Sequence, residues 1–332
     1  MPAQRVSSLM GKTAIIGAGM AGLACARRLS ASGQAVTLFD KGRGVGGRVA
    51  TRRVETAKGV LSFDHGAQYF TVRDERFRAE LSGLAGAVAP WPEIPGLEEE
   101  TRQVGVPHMN ALPKAMAEGL DVRLSTKIAA LRRDHEGWIL EADDRAAFGP
   151  FEVVIVAVPA EQAVSLVASQ SPMFAAEAAA ARTAPCWAGL FAADALGPPP
   201  LAAQRLADHP VLAWVACDAA KPGRPSRALQ TWVVHAKPDW SAAHLEGDPQ
   251  MVLGALHEAF VEIVRPSAPV FFAAAHRWRY AQVAQPAATL FAWDPALGLG
   301  LCGDWRIGPR IEAAWVSGHA LAGAVIAEMT AQ

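Results

Sequence analysis

The 332-residue sequence has only two tyrosines, Tyr69 and Tyr280, beside 10 Trp, and only 4 Cys. It has almost no charge imbalance, with 31 Lys+Arg against 32 Asp+Glu. It has no unbroken apolar run of about 20 residues free of charges or helix breakers. Each absence excludes something. Cys25, Cys186, Cys217 and Cys302 form no CxxC, which excludes a dithiol relay and a thiolate metal site. Buried, reduced thiols are expected instead, which fits a cytoplasmic location. A formal net charge of −1 excludes a generic polyanion binder, so no nucleic-acid partner is expected. The missing apolar span predicts a soluble chain with no membrane partner. The histidines show no HxxxH or HExxH spacing, so no metal is expected. No G-x-S-x-G nucleophile elbow occurs.

What is present points to a folded enzyme-sized chain. With 51% hydrophobic and 19% charged residues, global disorder is excluded. The length suggests two domains at about 150 residues each. Residues 1–10 read as a leader. Lys12–Gly17 reads as a strand, Met20–Ala31 as a helix and Ala35–Asp40 as a second strand, together one βαβ unit. Lys41–Arg53 reads as irregular, and the Pro-, Gly- and Glu-rich residues 86–107 as a surface excursion. A helix near 109–118, a strand near 120–132, and strands Trp138–Ala142 and Val153–Ala157 follow.

The style then changes. Ala-rich helical stretches at 161–181 precede strands at Trp187–Ala192, Leu212–Ala216 and Leu229–His235. A helix at Pro249–Val264 and a strand near Val270–Ala275 complete this part. The chain returns to its first style with strand Leu299–Cys302 and helix Ile311–Met329. The order first–second–first predicts a discontinuous α/β domain with an α+β insertion. Boundaries are set at 10–65, 105–160 and 295–332 for the first domain, and 66–104 and 161–294 for the second.

Gly17-Ala18-Gly19-Met20-Ala21-Gly22 is GxGxxG, placed after a strand and opening a helix. Asp40 lies 18 residues beyond Gly22, near the interval at which an acid meets a ribose. Gly17 permits the tight turn, Gly19 lets a pyrophosphate approach, and Gly22 lets helix and strand pack closely. The helix N-terminus, with Met20 and Ala21, offers N–H groups to phosphate. A second Gly-rich turn, with Gly46, Gly47 and Arg48, resembles the one found after the acid in many FAD enzymes. Lys41, Arg43 and Arg48 can neutralise phosphate or cap flavin carbonyls. Cys302-Gly303-Asp304, between a strand and a helix, resembles the element that reaches the ribityl chain, with the next helix aimed at the flavin.

The runs DKGRGVGGRVATRR (40–53) and FDHGAQYFTVR (63–73) closely resemble bacterial renalase-like flavoproteins. So do VGVPHMNAL (104–112), AVPAEQA (157–163), TWVVHAKPDWS (231–241), AHRWRYA (275–281) and the stretch 302–321. The resemblance spans nearly the whole chain. It implies an FAD-binding Rossmann-like domain of the p-hydroxybenzoate-hydroxylase or amine-oxidase type. It also implies a mixed sheet roofing the flavin. The implied activity is oxidation of aberrant 2- or 6-dihydro-NAD(P) to NAD(P)+, with O2 reduced to H2O2. FAD is expected to be non-covalent, with Cys302 the nearest thiol to a flavin motif. Cofactor contacts implied by the family are His65, Gly66, Ala67, Gln68, Ile128, Glu312 and Ala313. Glu312 is expected to meet a ribose or Arg48. Two positions depart from the pattern: His108 stands where a small residue is usual, and Ala313 where Gly is usual.

Oxidising a dihydropyridine removes a hydride without a proton, so ring positioning and water exclusion matter more than a strong base. Tyr69, Phe70, Trp232, Trp278 and Tyr280 are candidate walls. His65, Gln68, His235 and Arg279 are candidate polar contacts for a dinucleotide substrate. Trp232 and Trp278 serve equally as pocket walls or core, and a lone His such as His235 is more often a structural donor. Arg52-Arg53 reads as a solvated face or a phosphate contact. Both tyrosines are expected near the flavin face. An amine oxidase or desaturase on the same scaffold, and a non-catalytic flavin-binding protein, are the rival readings.

Overall fold

A computed structural model describes residues 11–84, 86–91, 102–224, 228–287 and 289–331. The leader 1–10, most of the Pro/Gly/Glu-rich excursion and part of the 222–225 loop lie outside the described residues. The described flanks of the excursion, Val88–Trp91 and Arg102–Gly105, pair antiparallel.

The βαβ unit forms as read, with strand Lys12–Ile16, helix Met20–Ala31 and strand Ala35–Phe39. It centres a six-stranded sheet ordered Ala292–Asp294, Leu299–Leu301, Val153–Val156, Lys12–Ile16, Ala35–Phe39, Asp121–Arg123. The pairings are parallel except at the Ala292–Asp294 edge. The strand near 120–132 is two strands, Asp121–Arg123 and Ile128–Arg133, the second in a separate three-stranded sheet.

Alternation along the central strands sorts their side chains onto two faces. Ile15, Leu38 and Ile155 face one core with helices Met20–Ala31 and Ile311–Ala331. Ile16, Phe39, Val154 and Val156 face the other, with Trp138, Leu140 and helix Ala160–Val167. The two long helices touch at Gly318, where an added Cβ would lie 1.9 Å from the Ala21 carbonyl oxygen.

The second body is a five-stranded sheet ordered Ala203–Arg205, Leu212–Cys217, Leu229–Ala236, Arg182–Asp194, Val270–Gln285. Every pairing in it is antiparallel; the mixed sheet is the six-stranded one. Helix Pro249–Val264 covers one face, with Phe260 stacked on Phe191 at 4.5 Å between ring centroids. The other face looks toward the first body. The hairpin Arg52–Thr56/Gly59–Phe63 joins the two bodies through Leu61 and Phe63, which pack on Leu190 and Val233.

Candidate functional site

The three glycines of the fingerprint have three different surroundings. A Cβ on Gly17 would sit 2.6 Å from the Ala157 carbonyl oxygen, and one on Gly22 would sit 1.9 Å from the Gly17 carbonyl oxygen. A Cβ on Gly19 would meet nothing within 4 Å among the described residues. Gly19 is also the N-cap of the first helix, with no side chain capping it. The first-turn N–H groups therefore face open space. Gly46 crosses this turn: its N–H donates to Ala18 at 2.8 Å.

This turn opens into a cavity of about 800 Å³. Its floor includes Gly19, Met20, Ala21, Gly46, Arg48 and Asp304. Arg48 and Asp304 form a 2.6 Å ion pair. Gly303 donates to Ser317 Oγ at 3.0 Å, and a Cβ there would strike the Trp305 ring at 2.6 Å. The unfilled space above Gly19, the uncapped helix and the Arg48–Asp304 pair together fit the phosphates and ribityl chain of FAD.

Other cofactor candidates lie elsewhere. Asp40 accepts from Ala18 N–H and Gly42 N–H, both at 2.7 Å, so its carboxylate anchors the turn outside the cavity. Thr126 N–H donates to the Asp40 carbonyl oxygen at 2.8 Å, which brings Ile128 near this end. Lys41 reaches Gln162 at 3.0 Å, and Arg43 and Gly47 are exposed. Glu312 contacts neither Arg48 nor the cavity. It accepts from Arg73 N–H at 2.6 Å and Asp74 N–H at 2.7 Å, tying the last helix to the 70–74 segment. Ala313 is core; its neighbours Ile311 and Ala314 line the cavity.

The roof shows why some candidate walls fail. Strand side chains alternate faces, so Trp232 and His235, three apart, point to opposite sides. His235 lines the cavity, whereas Trp232 is fully buried on Phe260 under the covering helix. Trp278 lines the cavity, whereas Arg279 points outward to Glu246 at 2.6 Å. Tyr280 has the parity of Trp278 but does not line the cavity. It lies in a bulge, because pairing slips between Ala184↔Gln282 and Cys186↔Trp278. Of the two tyrosines, Tyr69 alone reaches the cavity.

The HGAQYF segment forms one wall. Gly66 approaches Arg48 so closely that a Cβ would sit 2.0 Å from the Arg48 carbonyl oxygen, and Ala67 N–H donates to that oxygen at 2.9 Å. His65 contributes mainly its carbonyl, which accepts from Trp278 Nε1 at 2.9 Å and meets His235 Nε2 at 3.2 Å. Its ring packs on His276 and Trp278 at 4.6 and 5.0 Å. Burial, with smaller contributions from His276, Arg52 and His235, lowers His65 to about 3. Burial lowers His235 to about 4. Both rings are neutral near pH 7. Cys186 also lines the cavity, and burial pushes its thiol up to about 12. All four cysteines are free and buried.

A buried ionic cluster beneath this wall escaped the sequence reading. Asp64 pairs with Arg224 and, at 3.4 Å, with Lys221; Lys221 pairs with Asp218 at 2.6 Å. Gln68 belongs to it: Lys221 donates to its Oε1 at 3.2 Å, and its Nε2 donates to the Asp64 carbonyl oxygen. Burial opposes the charge on Asp64, but Lys221, Arg224, Thr51 and Met109 N–H outweigh it and hold the carboxyl below its usual range. Two acids and two bases thus meet in the interior, where burial pushes the Asp218 carboxyl up against the pull of Lys221. His108 borders this cluster beside Asp218 and Arg224, away from the cavity. Arg205, Trp214 and Lys237, also absent from the sequence reading, line the roof. The parity of His235 points to Lys237, two residues on; nothing local marks Trp214.

Comparison with known proteins agrees with this geometry. Residues 15–81 match the model of the NAD(P)-binding Rossmann-like domain, and residues 83–189 that of the flavin containing amine oxidoreductases. A protein with a provisional protoporphyrinogen oxidase name, from Exiguobacterium sp. 255-15, superposes with TM-score 0.75 at 11% identity. Cyclohexylamine oxidase from Brevibacterium oxydans gives 0.74 at 13%, and a putrescine oxidase bound to putrescine gives 0.68 at 14%. Each alignment covers 96% of this chain and 99% of the other. At such identities the likeness speaks for the fold. The matched models and the site define a flavin-containing oxidoreductase of the amine oxidase superfamily. Its cofactor is FAD.

Proposed function

We propose that the protein is a renalase-type oxidase of 2- or 6-dihydro-NAD(P) isomers, with FAD held non-covalently. The charge of the cavity lining carries this reading. Arg205, Lys237 and Arg310 line it, and Asp304, paired with Arg48, is its one acidic residue among the described residues. A protonated amine would enter a positive field, whereas an anionic dinucleotide would be attracted. The fold neighbours include amine oxidases, so an amine substrate is the rival reading; the lining charge opposes it.

FAD, held at the Gly19 turn and beside Arg48 and Asp304, would supply a two-electron acceptor that O2 could reoxidise, with H2O2 as the product. The protein's own work is placement. Trp278 is fixed by its N–H to the His65 carbonyl and gives a flat wall against which a dihydropyridine can lie. Neutral His235 can hydrogen-bond a carboxamide without adding charge that would oppose formation of the cationic pyridinium product. Oxygen uptake by the holoenzyme, with NAD+ partially reduced by borohydride as donor mixture, tests the reading. Uptake with the minor isomers, and not with 4-dihydro-NAD or an amine panel, is expected. Uptake with amines alone would replace this function by the rival.

A further inference from the structure

We propose that Arg205 and Lys237, flanking the ring of Trp214, form a subsite for a phosphate of the substrate. This rests on the dihydronicotinamide reading only for the molecule that brings the phosphate. The strand register places these residues together. Arg205 is opposite Trp214, Trp214 opposite His235, His235 opposite Ala188, and Ala188 opposite His276. The five positions form one row across the roof. Two strand spacings, about 10 Å, separate Arg205 from His235. That is the scale of a nucleoside, so a ring held at His235 and Trp278 would deliver its phosphates to Arg205.

The donors at that end are only partly used. Arg205 gives one N–H to Tyr69 Oη at 3.2 Å, leaving most of its five. Lys237, just past the strand on the same face, gives one N–H to the Ala207 carbonyl oxygen at 2.7 Å, leaving two. The buried ring of Trp214 lines the cavity between them. Two cations with spare donors on one cavity wall are explained by an anionic acceptor that arrives with the ligand. Tyr69 stands 5.6 Å from Trp214 between ring centroids and holds Arg205 at the rim.

Inorganic pyrophosphate titrated into the oxidised holoenzyme, followed by tryptophan fluorescence, tests binding without turnover. Saturable binding is expected, weakened about tenfold by R205Q or K237Q and by added salt. Kinetics supply the second readout. In R205Q the half-saturating concentration for dihydro-NAD isomers should rise about tenfold relative to that for the matching dihydronicotinamide riboside, which carries no phosphate. R205K should recover part of the loss. An equal rise for both donors would mean a distorted roof and overturn the subsite. Unchanged pyrophosphate binding in both variants would overturn it too. If no dihydronicotinamide reduces the flavin but pyrophosphate binding still depends on Arg205, the oxidase reading fails and the subsite stands.

Discussion

Gly19→Val separates cofactor binding from folding. Gly19 has φ −77° and ψ −179°, a backbone conformation open to any L-residue. Its Cβ would meet no atom of the described residues within 4 Å. Two small effects act on the apo-protein: replacing Gly by Val at an N-cap costs about 0.5–1 kcal/mol, and a stiffer unfolded chain returns about 0.4–1 kcal/mol. The net change should be within about 0.5 kcal/mol. The new side chain nevertheless fills the space in front of the first-turn N–H groups, where a pyrophosphate must approach. The purified variant should therefore melt with the apo wild type yet carry little flavin. Gly22→Ala gives the contrast. Its Cβ lies 1.9 Å from the Gly17 carbonyl oxygen, so the turn must open by about 1.5 Å to reach ordinary contact at 3.4 Å. That should cost about 1–3 kcal/mol or more in the apo-protein itself. Flavin-to-protein absorbance ratios and apo melting curves of the two variants decide the matter. Stoichiometric flavin in Gly19→Val would refute the placement of the phosphates.

Acid should destabilise the protein before its carboxylates titrate. His65 and His235 are depressed to about 3 and about 4, whereas the unfolded chain takes up these protons near 6.5. Their stabilising contribution is full above about pH 6.5 and is lost as pH falls toward 3–4, by up to about 1.4 kcal/mol per pH unit for each. Denaturant midpoints between pH 7 and 5 should fall, and less steeply in His235→Asn; a flat profile would contradict neutral, buried rings. Asp64→Asn leaves Arg224 and Lys221 with one acid between them, and should cost about 3–5 kcal/mol by chemical denaturation. Asp304→Ala frees Arg48 at the cavity floor and should weaken FAD retention on dilution while leaving the donor preference of the remaining holoenzyme unchanged; altered preference would move Asp304 to the substrate.

The nucleotide half was legible because its constraints are local. Gly17, Gly19 and Gly22 each announce a steric requirement within six residues, and the structure gives each the surroundings that requirement predicts. The helix at Pro249–Val264 matched to the residue, since Asp248 caps it and Arg265 ends it in a left-handed turn. The roof was only half legible. Period-2 alternation alone separates His235 from Trp232 and Trp278 from Arg279, but the bulge that displaces Tyr280 depends on pairing with a strand some ninety residues away. Glu312 looked like a cofactor ligand because it stands in a cofactor motif; its partners, Arg73 and Asp74, are distant in sequence. The same distance hid the Asp64–Lys221–Arg224 cluster, in which each charge alone resembles a surface residue.

Anaerobic mixing of the oxidised holoenzyme with separated 2-, 4- and 6-dihydro-NAD, followed by the flavin's visible absorbance, tests the proposed chemistry most directly. Rapid bleaching by a 2- or 6-isomer, with one equivalent of NAD+ formed per flavin and slow or no bleaching by the 4-isomer, is the predicted result. Flavin that stays oxidised with every dihydronicotinamide, or that bleaches only with amines, would contradict it.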